Sequence, residues 1–189
     1  MTTTNDGRRI RGQQRRAQLI EATLTVVRRD GAAGVSHRAV AKEAGVTTSL
    51  TTYYFATLDD LLVAALTSVA DAYTARIRHI IDHHDDKLRG LAELIAETAG
   101  PGYQRALAER ELSTLAARRP ALRPVARRWR ENVAELASTR TTDPDAVRAV
   151  VAVSDGLCAA ILLGDTEADI DHIYSVLERA LRSDQQRRH

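Results

Sequence analysis

Along the first third of the chain, Ala17, Ile20, Leu24 and Val27 recur at steps of three and four, with Arg15, Arg16, Glu21 and Arg28 off that line. This spacing predicts an amphipathic helix from near Gln13. It ends at Asp30-Gly31, where glycine can take the left-handed cap. Ser36 is a good N-cap for a short second helix over 37–44, with Val40, Ala41 and Ala44 facing inward. Gly45 ends it, Thr47 caps a third short helix reaching Tyr53 or Tyr54, and Phe55 supplies a bulky apolar anchor. Two short helices joined by a tight glycine turn make a helix-turn-helix.

Behind Asp59 and Asp60, acids suited to a helix start, the series Leu62, Leu66, Val69, Tyr73, Ile77, Ile80 predicts a long fourth helix to about residue 82. Five more helices are expected over 87–99, 102–119, 122–138, 144–163 and 167–182. Pro101, Pro120, Pro124 and Pro144 all fall at or beside their starts, where a missing N–H costs little. The expected fold is all-α, with about nine helices: a basic flexible arm over 1–12, a helix-turn-helix domain over 13–58, and an effector-binding and dimerisation domain over 59–189.

Composition agrees with helix: aromatics are 4% of 189 residues, and glycine and proline are sparse. The formal net charge of +2 hides a split. Residues 1–58 carry nine Lys+Arg against four Asp+Glu, while the remainder carries 18 against 21. A polyanion contact confined to the first third is implied, and a general DNA-packaging protein, basic over most of its surface, is disfavoured. A single cysteine, Cys158, excludes an internal disulfide framework and fits a small buried hydrophobe. No apolar leader and no stretch of about 18 apolar residues is expected, so the reading is a soluble, cytoplasmic protein with no membrane partner.

The segment from Val35 to Leu62 closely resembles the tetracycline-repressor (TetR) family: the inward Val40-Ala41, the turn Ala44-Gly45-Val46, the aromatic run Tyr53-Tyr54-Phe55 and the acids Asp59-Asp60. The likeness covers about residues 13–65. It implies a transcriptional regulator, usually a repressor, that grips duplex DNA. Independently of it, a recognition helix needs short polar side chains near base edges and phosphates, and Thr47, Thr48, Ser49, Thr51 and Thr52 supply hydroxyls. Tyr53 and Tyr54 can reach phosphates through their phenols, and the resemblance places both near the DNA backbone, together with His37 and Arg38. Leu50 stands where a small residue is common; it either packs inside or meets a thymine methyl. Leu58 replaces a frequent lysine, removing one backbone contact. Arg8, Arg9 and Arg11, with Arg15 and Arg16, compensate if the arm enters the minor groove or follows phosphates.

One module touches few base pairs, so specificity calls for a homodimer on a palindromic operator. Val147, Val150, Val151, Ser154, Leu157, Cys158 and Ile161 form one helical seam, and Ile170, Ile173, Leu177 and Leu181 another. These seams either build a four-helix interface or complete the subunit's own core. An unidentified small-molecule effector is expected among the preceding helices, where Leu66, Val69, Tyr73, Ile77, Tyr103, Leu112 and Trp129 either line a pocket or fill a core. The rival class is a helical metal-dependent hydrolase using His79, His83, His84 and Asp85. No supporting ligands, nucleophile motif or phosphate loop accompanies them, so neither enzyme activity, metal nor cofactor is expected.

Overall fold

The computed structural model describes residues 3–182, and among these nine α-helices and no strand are found. Residues 1–2 and 183–189, at the two ends of the expected domains, lie outside the described residues. The chain divides into two compact units. The first reaches Ser68 and takes back Glu111–Arg123, so it is larger than the expected 13–58; the second comprises Val69–Arg110 and the residues from Pro124 onward.

In the first unit, α1 (Thr3–Asp30) packs against α2 (His37–Glu43), which packs against α3 (Thr48–Tyr54). The core is built on Leu19, Leu24, Val26 and Val27 of α1, Val40 of α2, and Phe55. Ala17, expected on the same stripe, is exposed, because α1 enters the core only at Leu19. The expected flexible arm is also corrected: α1 is helical from Thr3 onward. A helix nucleated by core packing propagates outward at little cost through arginine and glutamine, which are good helix formers. Gly31 closes α1 with φ 74° and Gly45 makes the turn between α2 and α3 with φ 65°, a region in which side chains clash. The remaining helix starts are capped as the sequence implies. The Ser36 hydroxyl accepts from the Ala39 N–H (3.1 Å), and the Thr47 hydroxyl accepts from the Leu50 N–H (3.3 Å).

Helix α4 (Leu58–His83) opens with a reciprocal cap: the Asp60 carboxylate accepts from the Thr57 N–H (2.9 Å) and the Thr57 hydroxyl from the Asp60 N–H (3.1 Å). This is the capping box, legible as Thr57-x-x-Asp60. Hydrogen bonds from Thr57 outweigh desolvation and hold the Asp60 carboxyl below its ordinary range.

The second unit contains α5 (Lys87–Ala96), most of α6 (Tyr103–Leu115), α7 (Arg123–Ser138), α8 (Pro144–Leu163) and α9 (Ile170–Arg182). Helix α5 packs on α9 and α8, and α8 on α9. Leu88, Leu91, Ile95, Leu136, Ile173 and Leu177 are fully buried. Asp86 ties this unit together. Its Oδ1 accepts from the Leu88 and Arg89 N–H groups (both 3.1 Å), capping α5, while Oδ2 accepts from the Tyr174 phenol of α9 (2.9 Å). Arg140 completes the set at 3.3 Å.

Desolvation alone pushes the Asp86 carboxyl up. The Arg89 N–H, Tyr174, Arg140 and the Leu88 N–H together outweigh it and hold the group below the usual carboxylate range. A folded value below the unfolded one, about 4, means that its stabilisation is complete above about pH 4 and is lost as pH falls through the folded value. Asp86→Ala is therefore expected to lower stability at pH 7 by about 1–2 kcal/mol, from the lost cap and hydrogen bond. In urea unfolding, the difference from the parent protein should shrink as pH approaches about 3. A pH-independent difference would contradict this account.

Candidate nucleic-acid interface and effector region

Helix α3 presents its polar side outward. Thr48, Ser49, Thr52 and Tyr53 are exposed, Tyr53 by 78%, and Thr47 stands exposed at the cap. Their hydroxyls are not equally available. Thr47 is engaged in its cap, and the Thr52 hydroxyl donates to the carbonyls of Ser49 (3.0 Å) and Thr48 (3.3 Å). Thr48, Ser49 and Tyr53 thus form the outward polar surface. Tyr54 is half-buried, its ring edge-on to Tyr53 with centroids 5.1 Å apart. Arg38 is exposed on α2, and His37 is half-buried with its Nδ1 enclosed and lacking a hydrogen-bond partner.

One of the sequence readings changes here. Thr51, counted among the outward hydroxyls, is fully buried, and its Oγ1 has no partner. It sits one turn before Phe55 on the inner face, so helical geometry turns it into the core. Leu50 is half-buried and lines a groove of about 610 Å³ with Arg8, Arg11, Gly12, Gln14, Arg15, Gln18 and Tyr54. Leu50 thus shares that groove with the arginines of α1. Gln18, which the sequence did not single out, fastens α1 to the turn: its Nε2 donates to the Ala44 carbonyl (2.8 Å).

Because the Thr51 hydroxyl is enclosed and unpaired, Thr51→Val exchanges a stranded polar group for a methyl of the same shape. The variant is expected to gain about 1 kcal/mol, seen as a Tm rise of about 2–4 °C, with DNA affinity unchanged. A fall in DNA affinity without a change in Tm would mean that this hydroxyl faces the groove after all.

In the second unit, the proposed effector residues have different fates. Tyr73, Ile77 and Val69 are buried, Trp129 is half-buried and Tyr103 is 38% exposed. Leu66 and Leu112 fall in the first unit and are fully buried. Desolvation drives the Tyr73 phenol well above its ordinary value. Cys158 and Glu109 push the same way, and Arg105, 5.8 Å above the ring, pulls it back. Burial likewise pushes the half-buried Cys158 thiol up to about 12 against a hydrogen bond with Thr98, so both groups are neutral at physiological pH. Arg110 pairs with Asp155 at 3.0 Å and donates to the Asp155 carbonyl, while its Nε is left without a partner.

Of the dimer seams, Val150, Ser154, Ile161, Ile173 and Leu177 are buried within the unit itself, so they are corrected to core. Val147, Val151, Leu157, Cys158, Ile170 and Leu181 keep part of their surface. The face that periodicity missed is Ala152, Gly156 and Leu163, all exposed, the last by 75%. This also revises the expectation that no stretch is apolar enough to span a bilayer: α8, 20 residues with mean hydropathy 1.9, passes that test by length and composition, with 22% of it buried. At the end of α4, His79 and His83 stack at 4.5 Å with His84 edge-on at 6.1 Å. Among the described residues no group of three or more His, Cys, Asp or Glu is arranged to hold a metal, and the hydrolase alternative finds no support.

The geometry defines the class of helix-turn-helix proteins followed by a separate helical unit. Residues 19–65 match the family of bacterial regulatory proteins described as tetR family, and residues 82–183 match the tetracyclin repressor-like C-terminal domain. The chain belongs to the TetR family of transcriptional regulators. It is 45% identical to the multidrug binding protein EbrR, solved with imidazole, over 88% of this chain and 94% of that one, with a TM-score of 0.75. Other structures of EbrR hold ethidium, proflavin and malachite green. A TetR family member from Streptomyces coelicolor is also 45% identical, covering 88% of this chain and 97% of that one at a TM-score of 0.78. The HTH-type transcriptional regulator PksA of Bacillus subtilis is 41% identical over 68 residues, which are 36% of this chain and 33% of PksA. The chain thus matches about a third of that curated relative's length.

Proposed function

We propose that this protein is a cytoplasmic repressor that binds a palindromic operator as a homodimer and is released by a small aromatic cation. The observation that carries the DNA role is the outward polar face of α3, Thr48, Ser49 and Tyr53, held on a glycine turn with Arg38 nearby. Such a face suits base edges and phosphates in a major groove. Two copies reading grooves about 34 Å apart supply the specificity that one cannot. The pairing surface is the outer face of α8 with α9: an apolar helix this little buried calls for a partner.

Two observations support the effector class. EbrR, nearly half identical over most of its length, was solved with ethidium, proflavin and malachite green, which are flat or propeller-shaped aromatic cations. In this chain Tyr73 of the second unit lies within electrostatic reach of the acids Glu97 and Glu109, and Arg105 already stands over its ring, a place a cationic ring system could take. Release follows from population shift: the cation prefers a conformer in which the two α3 helices no longer fit successive grooves.

Selection from random duplexes tests the first part. A palindromic consensus, bound at least 10³ times more tightly than random DNA at physiological salt, is expected; absence of any preference would end the regulator reading. Ethidium itself intercalates, so effector binding is measured by calorimetry on DNA-free protein. Micromolar binding of ethidium and malachite green, weakened by Glu109→Gln, is the expected result. A ligand that binds yet leaves operator affinity unchanged would separate the effector role from the DNA role.

A further inference from the structure

Helix α1 is 28 residues long, yet from residue 7 onward its first buried side chain is Leu19, and none of residues 7–18 is buried. The family match also begins only at residue 19. The preceding stretch is thus about 18 Å of helix, from twelve residues at about 1.5 Å each, with no apolar face to hold it. It is nonetheless anchored to the reading head. Gly12 lies so near Tyr54 that an added Cβ would stand 3.8 Å from its phenol oxygen, Arg16 covers the Phe55 ring at 5.0 Å, and Gln18 holds Ala44.

Residues 7–18 include five arginines and no acid; the nearest acids in sequence are Asp6 and Glu21. Arg8, Arg11 and Arg15 are spaced by three and four, so they share one face at about one per 5.4 Å turn. All three line the groove shared with Leu50 and Tyr54 of α3. Arg15 is steadied by Gln18 at 2.7 Å. Like charges at this spacing repel and destabilise a helix. A solvated polar face would not concentrate one sign beside the very helix that reads DNA. A polyanion running along it turns the same repulsion into attraction.

We infer that α1 before Leu19 is a second DNA-binding element, a helical rail whose Arg8, Arg11 and Arg15 hold backbone phosphates beside the groove that α3 enters, the helix staying intact when bound. The inference rests on the DNA-binding reading of α3 and replaces the flexible arm with a preordered one. Its contribution is affinity without sequence preference, since phosphates carry no base information.

The full-length protein is compared with the triple variant Arg8→Gln, Arg11→Gln, Arg15→Gln on the selected operator and on random duplex, across a salt series. Each lost phosphate contact should reduce the slope of log K against log salt by about 0.9, about 2.7 per protomer, and weaken both DNAs alike by roughly tenfold or more. An unchanged slope with the parent protein binding normally overturns the rail. If the parent shows no operator preference, the regulator reading fails, but the slope on random duplex still judges the rail. Gly12→Ala decides between helix and arm: the methyl makes only ordinary contact with Tyr54, and alanine is a better helix former than glycine. Affinity within about twofold of the parent, or tighter, supports the intact helix. A tenfold loss shows that the segment must unwind, and overturns it.

Discussion

Gly156→Trp is expected to leave each protomer folded and to remove operator binding. A Cβ added at Gly156 meets nothing within 4 Å, and tryptophan is a better helix former than glycine by a few tenths of a kcal/mol, so the protomer alone should tolerate the indole. In a dimer joined along the outer face of α8, the same indole would sit where two helices approach most closely. Sedimentation at micromolar concentration should show a monomer with parental helicity by circular dichroism. Operator affinity should fall at least a hundredfold, because a single half-site lacks the second set of contacts. Gly156→Ala, a much smaller intrusion, should remain dimeric. A Trp variant that stays dimeric and binds normally would place the pairing surface elsewhere.

The second large effect is expected at Phe55, 2% exposed and set where α3 ends. Phe55→Ala removes the ring under Arg16 and opens a cavity in a small core, at a cost of about 3–5 kcal/mol. Loss of operator binding with a lowered Tm is the expected outcome. Phe55→Leu, which refills most of the volume, should recover much of both. Recovery of Tm without recovery of binding would assign the aromatic ring a role in contacting DNA through Arg16.

Helices α2, α3 and α8 were legible because chemistry marks their ends: Ser36 and Thr47 cap, Gly45 follows the end of α2, and Pro144 opens α8, whereas the Asp86 cap of α5 and the left-handed Gly164 after α8 emerge only from the structure. Helix α9 begins at Ile170 rather than 167, capped by Asp169, whose carboxylate accepts from the His172 N–H at 2.9 Å. The start of α1 was not legible, since a search for an apolar stripe finds none before Leu19. Outward and inward could not be told apart on α8, which is apolar nearly all round; the apolar seam read from its sequence pointed into the protomer at Val150, Ser154 and Ile161. The hydroxyl run of α3 misled for the opposite reason. Composition marked it as uniformly polar, whereas helical phase buries Thr51 alone.

The state of Cys158 has a practical corollary. With its thiol raised to about 12, only on the order of one molecule in 10⁵ carries a thiolate at neutral pH, too few for rapid attack on maleimides or methanethiosulfonates. A cysteine introduced at the exposed Ser49 would then take a spin label selectively with the native one left in place. Two such labels in a paired molecule become a molecular ruler, reporting the span between the reading heads before and after a cationic dye is added.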